Sequence, residues 1–136
     1  MACTKACCTN MPKANPVIVI HGGAWNIPDK LEKASREGVK EAAKIGWRVL
    51  KNGGTAVDAV MDAVKVLEND PAFDAGRGSV LTDAGEVEMD ALIMDGKTLE
   101  CGSVACVNNI KNPVVLARKV MENTPHTLLV GEGANR

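Results

Sequence analysis

The sequence predicts one α/β domain over residues 16–136, preceded by a mobile leader over residues 1–15. Three patterns indicate this class: a β-branched run at residues 17–20, two amphipathic helical repeats between residues 29 and 70, and an alternating strand pattern near residues 87–93. A chain of 136 residues with 46% hydrophobic and 24% charged residues has the composition of a globular domain.

The first predicted element is the strand at residues 17–20, because a continuous apolar run is typical of a strand buried on both faces. It ends at His21-Gly22-Gly23, where glycine lets the backbone approach a ligand or another segment closely. A tight strand exit with a hydrogen-bonded core histidine explains these residues slightly better.

Two amphipathic helices follow, and we expect them to pack together as one layer over the first strand. Their end signals are Asp29 as N-cap and Asn52-Gly53 as stop for the first helix, and Thr55 as N-cap, Asp58 at N3 and Pro71 beyond the end for the second. The apolar stripes that should be buried are Leu31, Ser35, Gly38, Ala42, Ile45 and Val49 in the first helix and Val57, Val60, Val64 and Leu67 in the second.

The rest of the chain predicts a hairpin and a third helix. Apolar residues alternate with acids over residues 86–93, which is the period of a half-buried strand. Asp95-Gly96 is a short-loop hairpin signal, and residues 101–107 form the expected return strand. Asn112-Pro113 supplies an N-cap and an N1 proline for a helix over residues 114–121, and a new element begins near residue 128.

Composition argues against several classes of function. A nucleic-acid partner is not indicated, because a net charge of -1 gives no attraction to phosphates and only two tryptophans and one phenylalanine could stack on bases. A membrane span is not indicated either, because no apolar run approaches the ~20 residues that a bilayer requires. We therefore expect neither nucleic acid nor membrane as a partner and a cytoplasmic location. Five cysteines without a C-x-x-C pair do not suit a disulfide scaffold or a zinc site, so Cys101 and Cys106 should be small buried residues.

The most informative segment is a glycine-rich loop, Phe73-Asp74-Ala75-Gly76-Arg77-Gly78-Ser79, that leads into the acidic strand. Neither glycine cluster completes G-x-G-x-x-G, so dinucleotide binding is not indicated. Four acids near the loop fit no calcium motif and should face solvent or a partner: Asp83, Glu86, Glu88 and Asp90.

Two further candidate sites lie outside this loop. N-capping explains Gly54-Thr55 better than nucleophilic catalysis, and His126 suits a surface loop as well as a functional role. With no activated nucleophile, the chain is typical of part of an enzyme.

Several motifs together resemble the plant-type L-asparaginase/isoaspartyl peptidase family. They are His21-Gly22-Gly23-Ala24, Gly53-Gly54-Thr55-Ala56-Val57-Asp58-Ala59-Val60, Leu67-Glu68-Asn69-Asp70-Pro71, the glycine-rich loop, Met94-Asp95-Gly96, Lys111-Asn112-Pro113 and Thr124-Pro125-His126. The resemblance runs in order from about Pro16 to Arg136.

The resemblance implies an N-terminal-nucleophile hydrolase with an αββα sandwich, of which residues 16–136 would be the α-subunit portion. In such enzymes a precursor cleaves itself, and a threonine that begins the β subunit attacks the substrate. The implied function is deamidation of L-asparagine and cleavage of β-aspartyl dipeptides by an (αβ)2 assembly. The catalytic threonine would lie on the β chain, so none is expected in this one.

The resemblance also implies a structural sodium ion and no organic cofactor. Sodium would be held by the main-chain carbonyls of Leu67, Glu68, Asp70, Phe73, Ala75 and Arg77. Asp74 is a possible near-site residue, where relatives often carry asparagine, and its charge would oppose a developing oxyanion. Some plant members bind potassium near the position of His126.

Two related families and one different class are alternatives. Lysosomal glycosylasparaginase shares the His126-Thr127-Leu128-Leu129-Val130-Gly131-Glu132 stretch, and taspase-like proteases share the Met94-Asp95-Gly96 region. The leader and the complete glycine-rich loop favour the asparaginase branch. A non-catalytic scaffold of the same fold is the alternative from a different class, and a Gly-Thr junction in the partner chain would separate it from an enzyme.

Overall fold

The computed structural model describes residues 15–136. In that part of the chain the helices are α1 (Asp29–Lys51), α2 (Ala56–Asn69), α3 (Pro113–Asn123) and α4 (Glu132–Asn135), and the strands are β1 (Met89–Met94), β2 (Cys101–Val107) and β3 (Leu128–Val130). Residues 1–14 of the predicted leader, with Cys3, Cys7 and Cys8, lie outside the described residues. A mixed α/β class is confirmed.

Helices α1 and α2 pack side by side through small residues, which confirms that they associate. The buried face of α1 consists of Ser35, Gly38, Ala42 and Gly46. A Cβ atom at Gly46 would lie 3.0 Å from the Ala59 carbonyl oxygen and 3.3 Å from Ala63 Cβ, so glycine there permits close approach of α2. Asp29 was the expected N-cap, but Pro28 takes that position because its carbonyl accepts the Leu31 N–H at 2.8 Å.

Helix α2 begins with the predicted capping box, and its buried face agrees with the predicted stripe at Val57, which is buried, and at Val64, which packs against the core, but not at Val60. Thr55 Oγ1 accepts the Asp58 N–H at 3.0 Å, and Asp58 Oδ2 accepts the Thr55 N–H at 3.1 Å. The prediction that Val60 is buried is wrong, since it is 40% exposed. Ala59 and Ala63 are buried, because they lie on the side of α2 that faces α1.

The predicted strand at residues 17–20 is wrong for the part of the chain described, where this segment pairs with no strand. Val17 and Val19 are 80% and 86% exposed. Ile18 is half-buried, and its Cδ1 fills the space beside Gly46 on α1. A strand requires neighbouring main chain for hydrogen bonds, and no described segment provides it.

The sheet has the order β1-β2-β3, with β2 antiparallel to β1 and parallel to β3. One face packs on α3 and α2 around Val57, Met89, Ile93, Val104, Val107, Val114, Ala117 and Val120. A Cβ atom at Gly102 would overlap the α3 main chain at Ala117 and Met121. The missing side chain therefore allows α3 to lie directly on β2.

The opposite face of the sheet carries exposed apolar side chains. Leu92 pairs with Ser103, which pairs with Leu128, so these residues share one face. Leu92 is 65% exposed, and Leu128 and Val130 are each 51% exposed. This second face is uncovered within residues 15–136.

Two local features of the hairpin differ from prediction. The Asp95 N–H donates to the Glu100 carbonyl at 2.9 Å, so the loop is longer than a two-residue turn, and Leu99 adopts a φ of 64°. Cys106 is exposed rather than buried, and Cys101 is half-buried. Cys106 lies in a β-bulge with a φ of 52°, which interrupts the alternation of inward and outward side chains.

Replacing Asp58 with alanine should destabilise the intact protein by about 1 kcal/mol at neutral pH, because it removes the capping box and the partner of Arg118 at 2.7 Å. The hydrogen bonds from Thr55 and Arg118 lower the pKa of Asp58 from 3.8 to about 2. Because the pKa of Asp58 is lower in the folded protein than in the unfolded chain, the ionised carboxylate stabilises the fold at pH values above the unfolded-state pKa. This stabilisation is lost as the pH falls towards about 2.

Urea denaturation of Asp58→Ala and the wild type between pH 7 and pH 2 measures this difference. It should shrink below about pH 4, the ordinary aspartate pKa. Glu122→Gln is the matched control, because it removes the other carboxylate of Arg118 and leaves the cap intact. Equal effects of the two variants would contradict the capping role.

Candidate functional site

The glycine-rich loop follows the end of α2 and is built from short main-chain turns. The Asp70 carboxylate accepts the Ala72 N–H at 2.9 Å, and the Asp70 carbonyl accepts the Phe73 N–H at 3.2 Å. Gly76–Gly78 forms a short 3-10 turn, closed by a 3.1 Å bond from the Gly78 N–H to the Ala75 carbonyl. Short-range hydrogen bonds from main-chain N–H groups to carbonyl groups and to the Asp70 carboxylate therefore shape the loop.

Two glycines bring this loop into contact with the preceding main chain. Gly76 has a φ of 55°, a region that favours glycine, and a Cβ there would overlap the Glu68 carbonyl oxygen. A Cβ at Gly78 would overlap the Phe73 carbonyl oxygen and lie 3.0 Å from that of Pro71. Several carbonyl groups are therefore gathered around the two glycines.

Phe73 fixes the loop to the rest of the fold. Its side chain is 5% exposed and lies between α1 and the segment that follows residue 20. A Cβ at Gly38 would lie 2.7 Å from Phe73 Cζ, and one at Gly22 would lie 3.1 Å from Phe73 Cε1. The ring thus joins the glycine-rich loop to the His21-Gly22-Gly23 segment.

These two segments enclose a small cleft of about 200 Å3. Its lining residues are His21, Gly22, Gly23, Trp25, Leu67, Phe73, Asp74 and Ala75. His21 is exposed, which corrects the core-histidine interpretation, and its Nδ1 accepts the Gly23 N–H at 3.2 Å. The structure therefore joins both glycine motifs of the sequence in one place, with the Asp74 carboxylate beside them.

Asp74 has a definite local role. Its Oδ1 accepts the Val80 N–H at 2.9 Å, across six residues of chain. This bond closes the loop from its far end, while the side chain stays exposed. Asp74 is thus anchored, and its second carboxylate oxygen carries no hydrogen bond among the described residues.

Glu68 is a buried carboxylate at the base of the loop, and the sequence pointed only to its main-chain carbonyl. The residue is 3% exposed, with Oε1 accepting the Val114 N–H at 2.9 Å and Oε2 accepting Asn112 Nδ2 at 3.0 Å. Burial raises the pKa of Glu68, although both hydrogen bonds act in the opposite direction. The sequence contains an indication that the Glu68 side chain is buried, because Glu68 lies four residues after Val64 on the inward side of α2.

The six carbonyls predicted to hold a cation all belong to this loop or to the end of α2. Those of Leu67, Asp70 and Ala75 each accept one N–H, from Asp70, Phe73 and Gly78. A carbonyl oxygen has two lone pairs, so each keeps one for a ligand. Among residues 15–136 no cluster of three or more His, Cys, Asp or Glu side chains could hold a metal.

The other candidate residues lie apart from the cleft. Asp83, Glu86, Glu88 and Asp90 are exposed, as predicted. The Asp90 carboxylate accepts the Cys106 N–H at 2.8 Å and so holds the β-bulge. His126 is exposed, and the neighbouring Thr127 carbonyl accepts hydrogen bonds from the Ser103 N–H and hydroxyl, at 2.8 and 2.6 Å.

No helix within the described part of the chain is long and apolar enough to cross a membrane.

Comparison with known proteins decides the family. The profile of the family described as asparaginase matches residues 14–136. The chain belongs to the plant-type L-asparaginase/isoaspartyl peptidase family.

The similar relatives include animal and archaeal proteins. The chain is 57% identical over 121 residues to the isoaspartyl peptidase/L-asparaginase of Danio rerio, a match that covers 89% of this chain and 39% of that protein. It is 59% identical over 119 residues to the plant-type L-asparaginase of Pyrococcus horikoshii, covering 86% of this chain and 38% of that protein. The chain therefore spans about two fifths of the length of these relatives.

Replacing Gly76 with alanine should destabilise the loop more than replacing Gly85. Both glycines have positive φ, at 55° and 77°, but only a Cβ at Gly76 meets other atoms. Positive φ alone costs roughly 1–2 kcal/mol, and a steric overlap adds roughly 1–3 kcal/mol. Thermal denaturation of the intact Gly76→Ala and Gly85→Ala proteins separates the two effects, and equal losses would contradict the close contact.

Proposed function

We propose that this chain is the α-subunit portion of a self-cleaving threonine hydrolase that deamidates L-asparagine and cleaves β-aspartyl dipeptides. The observation that carries the proposal is the cleft formed by the two glycine motifs, in a chain 57–59% identical to relatives named for these activities. A cleft with glycine main chain and an anchored carboxylate suits a small polar substrate.

The proposed partner is a β subunit from the same precursor, in an (αβ)2 assembly. The uncovered sheet face with Leu92, Leu128 and Val130 supports this, because exposed apolar faces of this kind are typical of interfaces. In the proposed αββα sandwich the sheet of the β subunit would cover this face. The exposed Val17 and Val19 would gain strand neighbours in the same assembly. A cytoplasmic location stays a prediction.

In the proposed reaction the hydroxyl of the β-chain threonine attacks the carbonyl carbon of the substrate amide, and its own α-amine accepts the proton. The amine then passes this proton to the leaving nitrogen as the carbon–nitrogen bond breaks, which releases ammonia or an amino acid, and water hydrolyses the remaining ester. The present chain supplies one wall of the cleft and the Asp74 carboxylate. Since the amine must be free, the uncut precursor is expected to be inactive.

We also propose that the loop at Leu67–Arg77 binds sodium through the six main-chain carbonyls named above. The contact of Gly76 with the Glu68 carbonyl, and of Gly78 with that of Phe73, supports this. Sodium, a hard cation, is suited by oxygen ligands. Bound there, it would fix the loop electrostatically and take no part in proton transfer. The use of potassium near His126 stays a prediction.

Hydrolysis of L-asparagine and of a β-aspartyl dipeptide by the intact protein tests the proposed function. Ammonia or amino-acid release should appear only after the precursor is cut, and a polypeptide of residues 1–136 alone should give the blank rate. A variant with alanine in place of the threonine at the new N-terminus is the control for contaminating enzymes. Turnover by residues 1–136 alone, or by the uncut precursor, would refute the mechanism.

Replacing Asp74 with asparagine should leave kcat unchanged or raise it. The amide keeps Oδ1 as acceptor for the Val80 N–H and removes a charge that opposes the oxyanion. Asp74→Ala should lower kcat several-fold, because it also loses a hydrogen bond of about 1 kcal/mol that closes the loop.

Steady-state kinetics on L-asparagine compares the two variants, with circular dichroism as the folding control. If Asp74→Asn lost as much activity as Asp74→Ala or more, the carboxylate would be required for orienting the nucleophile or accepting a proton. The interpretation of Asp74 as an electrostatic liability would then be wrong.

A further inference from the structure

The side chain of Glu68 caps a helix other than its own. Val114 is the second residue of α3, and its N–H is one of the groups that a helix N-terminus leaves without an intrahelical acceptor. Glu68 Oε1 accepts this N–H at 2.9 Å. Asn112 is the N-cap residue, but its side chain makes no cap bond and donates to Glu68 Oε2 instead.

The main chain of the same residue supports the glycine-rich loop. A Cβ at Gly76 would overlap the Glu68 carbonyl oxygen and lie 2.7 Å from Glu68 Cβ. The loop is therefore folded directly against Glu68. From Gly76 the loop runs on to Val80, whose N–H holds the Asp74 carboxylate.

We propose that the Glu68 side chain is a positioning residue: by capping α3 it fixes its own main chain, and through that main chain it holds the glycine-rich loop and Asp74 in place. The inference rests on the proposed hydrolase function only for its kinetic consequence. The helix N-terminus, the two hydrogen bonds and the loop meet at one residue, so a displacement of the Glu68 side chain displaces the base of the loop.

Packing alone does not explain a carboxylate at this position. Burying a charged group is unfavourable unless hydrogen bonds compensate for lost water, and an apolar side chain of similar size would avoid that cost. No residue within 15–136 forms an ion pair with Glu68. The two N–H donors and the positive end of α3 are what favour the carboxylate here.

Amide hydrogen exchange in the assembled, cut enzyme tests the positioning role. In Glu68→Ala the amides of Gly78, Ser79 and Val80 should exchange about tenfold faster, roughly the factor expected for a lost charge-assisted hydrogen bond. The kcat value should fall with them, while KM changes less. Glu68→Gln should restore most of the protection, because its carbonyl can accept the Val114 N–H and its amide can pair with a rotated Asn112.

The control is Val120→Ala, which removes a buried side chain of α3, 2% exposed, without touching the cap. It should lower the melting temperature and leave loop exchange within about twofold of the wild type. Equal acceleration in Val120→Ala and Glu68→Ala would show general destabilisation and overturn the proposal. Unchanged loop exchange in a folded Glu68→Ala would overturn it as well.

If Glu68→Ala does not fold, Asn112→Ala is the deciding variant. It removes the Nδ2 donor to Glu68 Oε2, together with a longer bond of 3.4 Å to Asn69 Oδ1, and keeps the bond from the Val114 N–H to Oε1. Faster loop exchange in Asn112→Ala than in Val120→Ala supports the role, and exchange no faster than in Val120→Ala refutes it. The exchange data do not depend on the substrate. If the exchange data support the positioning role but the enzyme hydrolyses neither substrate, the positioning role stands and the proposed function is refuted.

Discussion

The contact between the glycine-rich loop and the main chain at Glu68 is the constraint on which the rest of the site depends. At Gly76 the two stretches of backbone are too close for any side chain to lie between them. The loop must therefore turn back at this point, which places Phe73 inward against α1 and leaves Asp74 at the surface beside His21. The cleft is the result of that turn.

Local sequence signals predicted the parts of the fold that local interactions determine. The capping box of Thr55 and Asp58 and the bounds of β2 are confirmed, because each depends on residues a few positions apart. The glycine-rich loop could also be recognised, since glycine at a position with positive φ is a local requirement. Residues of the candidate cleft were named from their motifs, although their meeting in space was not.

Longer-range interactions explain the errors. Val17 and Val19 have the composition of a buried strand, but a strand is completed by a neighbour that no local pattern reveals. Val60 is exposed because α1 lies on the alanine side of α2. Cys106 faces solvent because one extra residue in the strand reverses the alternation there. The role of the Glu68 side chain depends on α3, more than forty residues further along the chain.

The small-residue face of α1 has a consequence for the tolerance of this protein to mutation. A core of large side chains can lose or gain volume, and neighbouring residues adjust in both directions. The face formed by Gly38, Ala42 and Gly46 is already at the lower limit of size, so almost every substitution there adds atoms. Nearly all sequence variation at this helix pair would consequently push the helices apart, and Phe73, which contacts Gly38, would transmit that displacement to the cleft.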